Sequence, residues 1–124
     1  MTFPHHPNYE LCTMNYSLLL PLAATIIIEL LVLLALKEKR KKVLLASVVV
    51  NILTNVPLNI YVIATEPDLS YILLAELLVV IIETLWYYVF VRDLRQAAIY
   101  SFLCNAISFL LGVLADILLL ILPV

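Results

Sequence analysis

Four runs of apolar residues, at positions 18–36, 43–64, 71–91 and 97–122, leave this chain few ways to fold. Each is near the roughly 20 residues a helix needs to cross a hydrocarbon layer of about 30 Å. None alternates polar with apolar side chains, so none reads as a strand of a membrane barrel. In lipid, a helix is then the remaining way to satisfy every backbone N–H and C=O. Of the 124 residues, 65% are hydrophobic, more than the single core of a soluble domain this size can hide. The expected fold is an all-α membrane protein, a four-transmembrane-helix bundle with almost no soluble part.

The charges are segregated along the chain. All Lys and Arg lie in two short loops, Lys37, Lys39, Arg40, Lys41 and Lys42 in 37–42, then Arg92 and Arg95 in 92–96. The N-terminal residues and the 65–70 loop carry Glu10, Glu66 and Asp68 instead. Basic loops stay on the cytoplasmic side. The expected topology is therefore multi-pass in the plasma (inner) membrane, with both basic loops cytoplasmic and both termini extracytoplasmic. The 37–42 loop is a topology determinant that could also touch anionic headgroups. No folded basic face is available for nucleic acid.

Residues 1–16 lack the basic n-region and small-residue cleavage site of a secretory signal, so the first apolar segment is expected to stay as a helix. They read as a proline-broken extracytoplasmic tail, where His5, His6, Glu10 and Cys12 are too loosely held to preorganise a metal site. Cys12 and Cys104 lie too far apart for a disulfide, which leaves Cys104 as a small packing residue. Trp86, Tyr87 and Tyr88 read as an interfacial aromatic belt.

Inside the apolar runs a polar pattern occurs twice. Ile26-Ile27-Ile28-Glu29 is echoed by Val80-Ile81-Ile82-Glu83, and Ser47, Asn51 and Thr54 by Ser101, Asn105 and Ser108, always 54 positions later. The chain then divides into a first helical hairpin at 17–64, a loop at 65–70, and a second hairpin at 71–124. The two hairpins would be parallel repeats related by a pseudo-two-fold axis along the membrane normal.

Spacing puts the polar residues on single faces: Thr25 with Glu29, Ser47 with Asn51 and Thr54 or Asn55, Glu76 with Glu83, and Ser101, Asn105, Ser108, Gly112 and Asp116 together. At about 1.5 Å per residue, Glu29, Asn51, Glu83 and Asn105 each sit roughly 10–13 Å above the cytoplasmic boundary. A looser outer layer holds Asn59, Glu76 and Asp116, with Thr54, Asn55 and Ser108 between. Pro57 frees the carbonyl of Leu53, giving either a simple kink or a group facing water or an ion. Gly112 is expected to let helices approach closely.

Intramembrane carboxylates are costly and mark candidate functional sites. Glu29, Asn51, Glu83 and Asn105 make an all-oxygen set suited to a hard cation, with Glu29 and Glu83 as candidate metal ligands. Without a cation, the two carboxyls are expected to hold at least one proton. No other cofactor is implied. The competing reading is structural, with Glu29 bonded to Asn105 and Glu83 to Asn51 as packing clamps. Glu76 and Asp116, nearer water, also suit a scaffold or snorkelling role.

No nucleophile, headgroup-binding arginine, P-loop or HExxH accompanies the glutamates, so the chain does not read as an enzyme, lipid-acting chemistry being the residual case. Four helices barely enclose a pathway, so a homo-oligomer or a partner membrane protein is expected, besides the surrounding lipid. Two functions remain: a protein that binds or moves a small cation or protons, and a scaffold or accessory subunit. The pattern of Thr25, Glu29, Asn51, Thr54, Asn55, Pro57, Glu76, Glu83, Asn105, Ser108, Phe109 and Gly112 resembles small four-helix membrane proteins of bacteria and archaea that are known without an activity. The resemblance implies the helical fold and no chemistry.

Overall fold

The computed structural model describes the backbone of residues 7–122 and the side chains of residues 18–122. The metal-binding and disulfide questions at His5, His6, Glu10 and Cys12 fall outside the described side chains. Four helices run α1 Pro7–Ala35, α2 Lys41–Thr65, α3 Leu69–Val91 and α4 Leu94–Ile121, and among the described residues no strand occurs. All four are long and apolar enough to cross a membrane, which makes the chain a multi-pass membrane protein.

The ends of the helices follow local chemistry. Asp93 caps α4, its side chain accepting from Arg95 N at 3.0 Å and Gln96 N at 3.3 Å. With one glycine in the whole sequence, the turns after α1, α2 and α3 place Lys37, Glu66 and Arg92 in the left-handed region at φ 64, 45 and 60°. A non-glycine residue there costs roughly 1–2 kcal/mol. The N–H groups of Glu66 and Arg92 still close their helices, onto Val62 O at 3.0 Å and Tyr88 O at 2.9 Å.

Helix α1 reaches back to Pro7, so residues 7–16, expected in a broken tail, are helical. Proline is tolerated in a first helical turn because the N–H it lacks has no partner there anyway. Pro57 does not break α2. It lines an apolar groove between α2 and α3 together with Leu53 and Trp86.

Each helix packs on two others: α1 on α2 and α4, and α3 on α2 and α4, while the diagonal pairs α1/α3 and α2/α4 make no close backbone approach. The result is a four-cornered bundle. Its apolar core of Leu33, Val43, Tyr87, Val91, Ala97, Tyr100 and Cys104 is gathered at the end of the 36–40 and 92–93 connections. Toward the 66–68 connection, nothing described is buried beyond Glu29, Asn55, Val79 and Asn105. The bundle is thus closed at one end and open at the other. Its exterior is Leu, Ile and Val, with Leu110 at 65% and Leu120 at 86% exposure, while the carboxyls of Glu29 and Glu83 and the amides of Asn51, Asn55 and Asn105 lie inside. That inversion is how a bundle solvated by lipid is built.

Two aromatic residues depart from the belt expected of them. Tyr87 is fully buried because it lies one turn from Glu83 on the inward face; its ring packs edge-on to Tyr100, with centroids 6.1 Å apart. Trp86 is half-buried and donates Nε1–H to Ala46 O at 3.0 Å, tying α3 to α2. Tyr88 is exposed.

Candidate functional site

Between the closed end and the open end lies a layer of fully buried polar groups. Glu29 on α1 and Glu83 on α3 are both at 0% exposure, Asn51 on α2 is also at 0%, and Asn105 on α4 is at 5%. Asn51 Nδ2 donates to Glu29 Oε2, and Asn105 Nδ2 to Glu83 Oε2. Each glutamate therefore bonds to the asparagine of its own hairpin. The crosswise pairs expected of packing clamps, Glu29 with Asn105 and Glu83 with Asn51, do not form; helices joined by a short loop lie side by side, and the asparagine reaches its nearest neighbour.

The amide orientations are held by second bonds. Asn51 Nδ2 also donates to Ser47 O, and Asn105 Nδ2 to Ser101 O, both at 2.9 Å. Asn51 Oδ1 accepts from Asn55 Nδ2 at 2.8 Å. The asparagines thus present N–H, not oxygen, to the carboxylates. Among the described residues no group of three His, Cys, Asp or Glu comes together as a metal site.

Helix α2 links the two glutamates. From Glu29 the chain of bonds runs through Asn51 to Asn55, then to Thr54 Oγ1 at 3.4 Å, and from Thr54 Oγ1 to Glu83 Oε1 at 3.1 Å. Thr54 lies 2.8 Å from Val50 O as well. A hydroxyl has one hydrogen to give. When Thr54 gives it to Val50, Glu83 must bring its own proton to bond Thr54; when Thr54 gives it to Glu83, that carboxylate can be bare. The same heavy-atom geometry accepts either proton count, a property suited to proton exchange.

Three buried polar atoms lack a hydrogen-bond partner among the described residues: Glu29 Oε1, Ser47 Oγ and Tyr87 Oη. Ser47 and Tyr87 approach each other without a well-formed bond. An unpaired buried polar atom typically costs about 1–3 kcal/mol, so Glu29 Oε1 is a group the fold leaves available.

Toward the open end, the layer meets a cavity of about 350 Å³ bordered by Thr25, Asn55, Asn59, Glu76, Ser108 and Asp116. Every outer residue singled out by spacing lies on its wall, and Asn55 belongs to both cavity and inner layer. Glu76 is half-buried and Asp116 exposed; neither has a hydrogen-bond or ionic partner among the described residues. Ser108 makes only a long bond to Asn105 O at 3.4 Å. Gly112 also borders the cavity, with no atom within 4 Å of where a Cβ would stand. Its role is open space, not the close helix contact expected of it.

Sequence reasoning missed the seal at the closed end. Glu38, 3% exposed, accepts from Arg40 N at 2.8 Å, Nε at 2.9 Å and Nη2 at 2.6 Å, and from Tyr100 Oη at 2.8 Å. Gln96 Nε2 donates to the same tyrosine oxygen at 2.7 Å. The Arg40 guanidinium holds the Glu38 carboxyl at about 2, well below its ordinary 4.5. This clasp pins the α1–α2 loop onto α4. Its one sequence signal was a lone acid inside the basic run. Cys104, buried as a packing residue would be, places Sγ 3.7 Å from Glu29 O.

Comparison with known proteins finds no matching family, no similar curated protein and no similar solved structure.

Proposed function

We propose that this chain is a small membrane protein that takes up a proton or small cation from the vestibule at its open end and holds or passes it through the Glu29/Asn51/Glu83/Asn105 layer. One observation carries the reading: two fully buried glutamates on opposite helices are joined by an unbroken hydrogen-bonded chain that reaches a polar cavity. Between the candidate species, the proton fits better. Both asparagines offer N–H to the carboxylates, and Asn51 Oδ1 is already occupied, so a multidentate hard cation lacks the oxygens it prefers.

On this reading the two hairpins are duplicated halves, which accounts for Glu29–Asn51 and Glu83–Asn105 sharing one geometry 54 residues apart. The basic loops put the closed end at the cytoplasm and both termini outside. The vestibule then faces outward while the Glu38 clasp seals the inner end. Assembly with further copies or a partner membrane protein would complete a pathway that four helices only begin.

A second reading rests on the same bonds, because a Glu–Asn contact also joins membrane helices, at about 0.6–2 kcal/mol each. Thermal stability of the purified protein, measured across pH and a panel of Na⁺, Mg²⁺, Ca²⁺ and Mn²⁺, separates the two. A species that binds only the folded state raises stability by about 2.7 kcal/mol at a hundredfold excess over its Kd. The uptake reading expects a response to pH or to one cation that disappears in Glu29→Gln and Glu83→Gln. A parent indifferent to all of them, with variants equally stable, would make the layer a scaffold.

A further inference from the structure

We propose that the vestibule is a binding site for a small amphiphilic organic cation, an ammonium or similar group on an apolar body. Size excludes a bare ion as its natural occupant. A water takes about 30 Å³, and small-molecule sites span roughly 300–1,000 Å³; the vestibule, at about 350 Å³, belongs with the latter. Charge sets the sign of the ligand. Glu76 and Asp116 stand on the wall, no Lys or Arg borders it, and Glu66 and Asp68 lie in the adjoining connection.

Beside the polar groups of Thr25, Asn55, Asn59 and Ser108, the wall offers the apolar side chains of Leu58, Val62, Ile72 and Phe109, so a cation with hydrocarbon attached fits better than a hydrated one. At the floor, Asn55 is only 9% exposed. Its Nδ2 is spent on Asn51 and Thr54, while its Oδ1 has no partner among the described residues and is left to accept from a ligand's N–H.

A second observation points to an amphiphile. Glu76 also borders a cleft of about 220 Å³ between α3 and α4, with Leu73, Leu77 and Phe102. Those three side chains are 49%, 57% and 61% exposed on the lipid-facing surface. The Glu76 side chain therefore borders both the vestibule and the flank of the bundle, where an amphiphilic cation accumulates. Binding here does not depend on proton movement through the inner layer, and the test below reads binding alone.

The test is equilibrium dialysis of labelled benzylammonium, whose N–H groups Asn55 Oδ1 can accept, against the full chain in dodecyl maltoside, with benzenesulfonate as the anionic control. Saturable binding of the cation and none of the anion is expected. Glu76→Gln and Asp116→Asn should each weaken binding about tenfold, by removal of one charge contact. Gly112→Phe, placed in open space and replacing a poor helix former, should fill the vestibule and abolish binding while the protein melts as the parent does. Competition by added phosphatidylethanolamine would identify a lipid headgroup as the source of the ammonium; no competition would identify a free one. Non-saturable uptake, or binding unchanged in Glu76→Gln and Gly112→Phe, would overturn the proposal.

Discussion

Tyr87 and Tyr100 touch edge to face yet hold their hydroxyls in opposite circumstances. Tyr100 Oη donates to Glu38 and accepts from Gln96, whereas Tyr87 Oη is buried without a partner among the described residues. Tyr100→Phe is expected to cost about 1–3 kcal/mol, and Tyr87→Phe to be neutral or slightly stabilising, as read by reversible unfolding in mixed micelles. Glu38 brings its own pH dependence. Its folded-state carboxyl is depressed to about 2 from an ordinary 4.5, so its contribution is fully present above about pH 4.5 and lost as pH falls toward 2. Melting temperature should drop across that window in the parent, with this component missing in Glu38→Gln. At this scale the inner layer was legible, because Glu and Asn inside apolar runs must find polar partners within the bundle. The clasp was not, because an acid two residues from an arginine in a loop looks solvated until Tyr100, 62 positions away, closes over it.

Among the elements, the sequence pattern located all four spans, since lipid permits only a long apolar helix there. It missed that α1 continues to Pro7, because the turns before Leu18 are polar and their composition alone resembles a tail. It also read Trp86-Tyr87-Tyr88 as one belt, although consecutive helical residues point 100° apart and only one of the three faces the lipid fully. Helix ends carry a separate prediction. Glu66 closes α2 at φ 45°, a conformation that glycine adopts freely. Glu66→Gly is expected to stabilise the protein by about 0.5–1 kcal/mol. Asp68→Gly, where φ is −61°, should give no such gain in the same unfolding assay.

The described residues form a bundle packed at one end by Leu33, Tyr87, Tyr100 and their neighbours and open at the other around the vestibule. Periodicity placed Glu76, Ser108 and Asp116 on inward stripes, but it could not tell a closed polar seam from an open chamber. That depends on how tightly the helices pack toward the 66–68 connection, where no described residue beyond Glu29, Asn55, Val79 and Asn105 is buried. On the proposed function, Glu29 and Glu83, joined through Asn51, Asn55 and Thr54, form one protonatable unit on a path from the vestibule. Proton flux into vesicles reconstituted with the purified chain, read by an entrapped pH-sensitive dye under an imposed potassium diffusion potential, tests it most directly. Flux is expected in the parent, with loss of at least about 90% of it in Glu29→Gln and in Glu83→Gln alike, since removing one general acid–base group costs roughly 10²–10⁴-fold in proton transfer. Equal flux in parent and both variants, or none above empty vesicles in any of them, would contradict it.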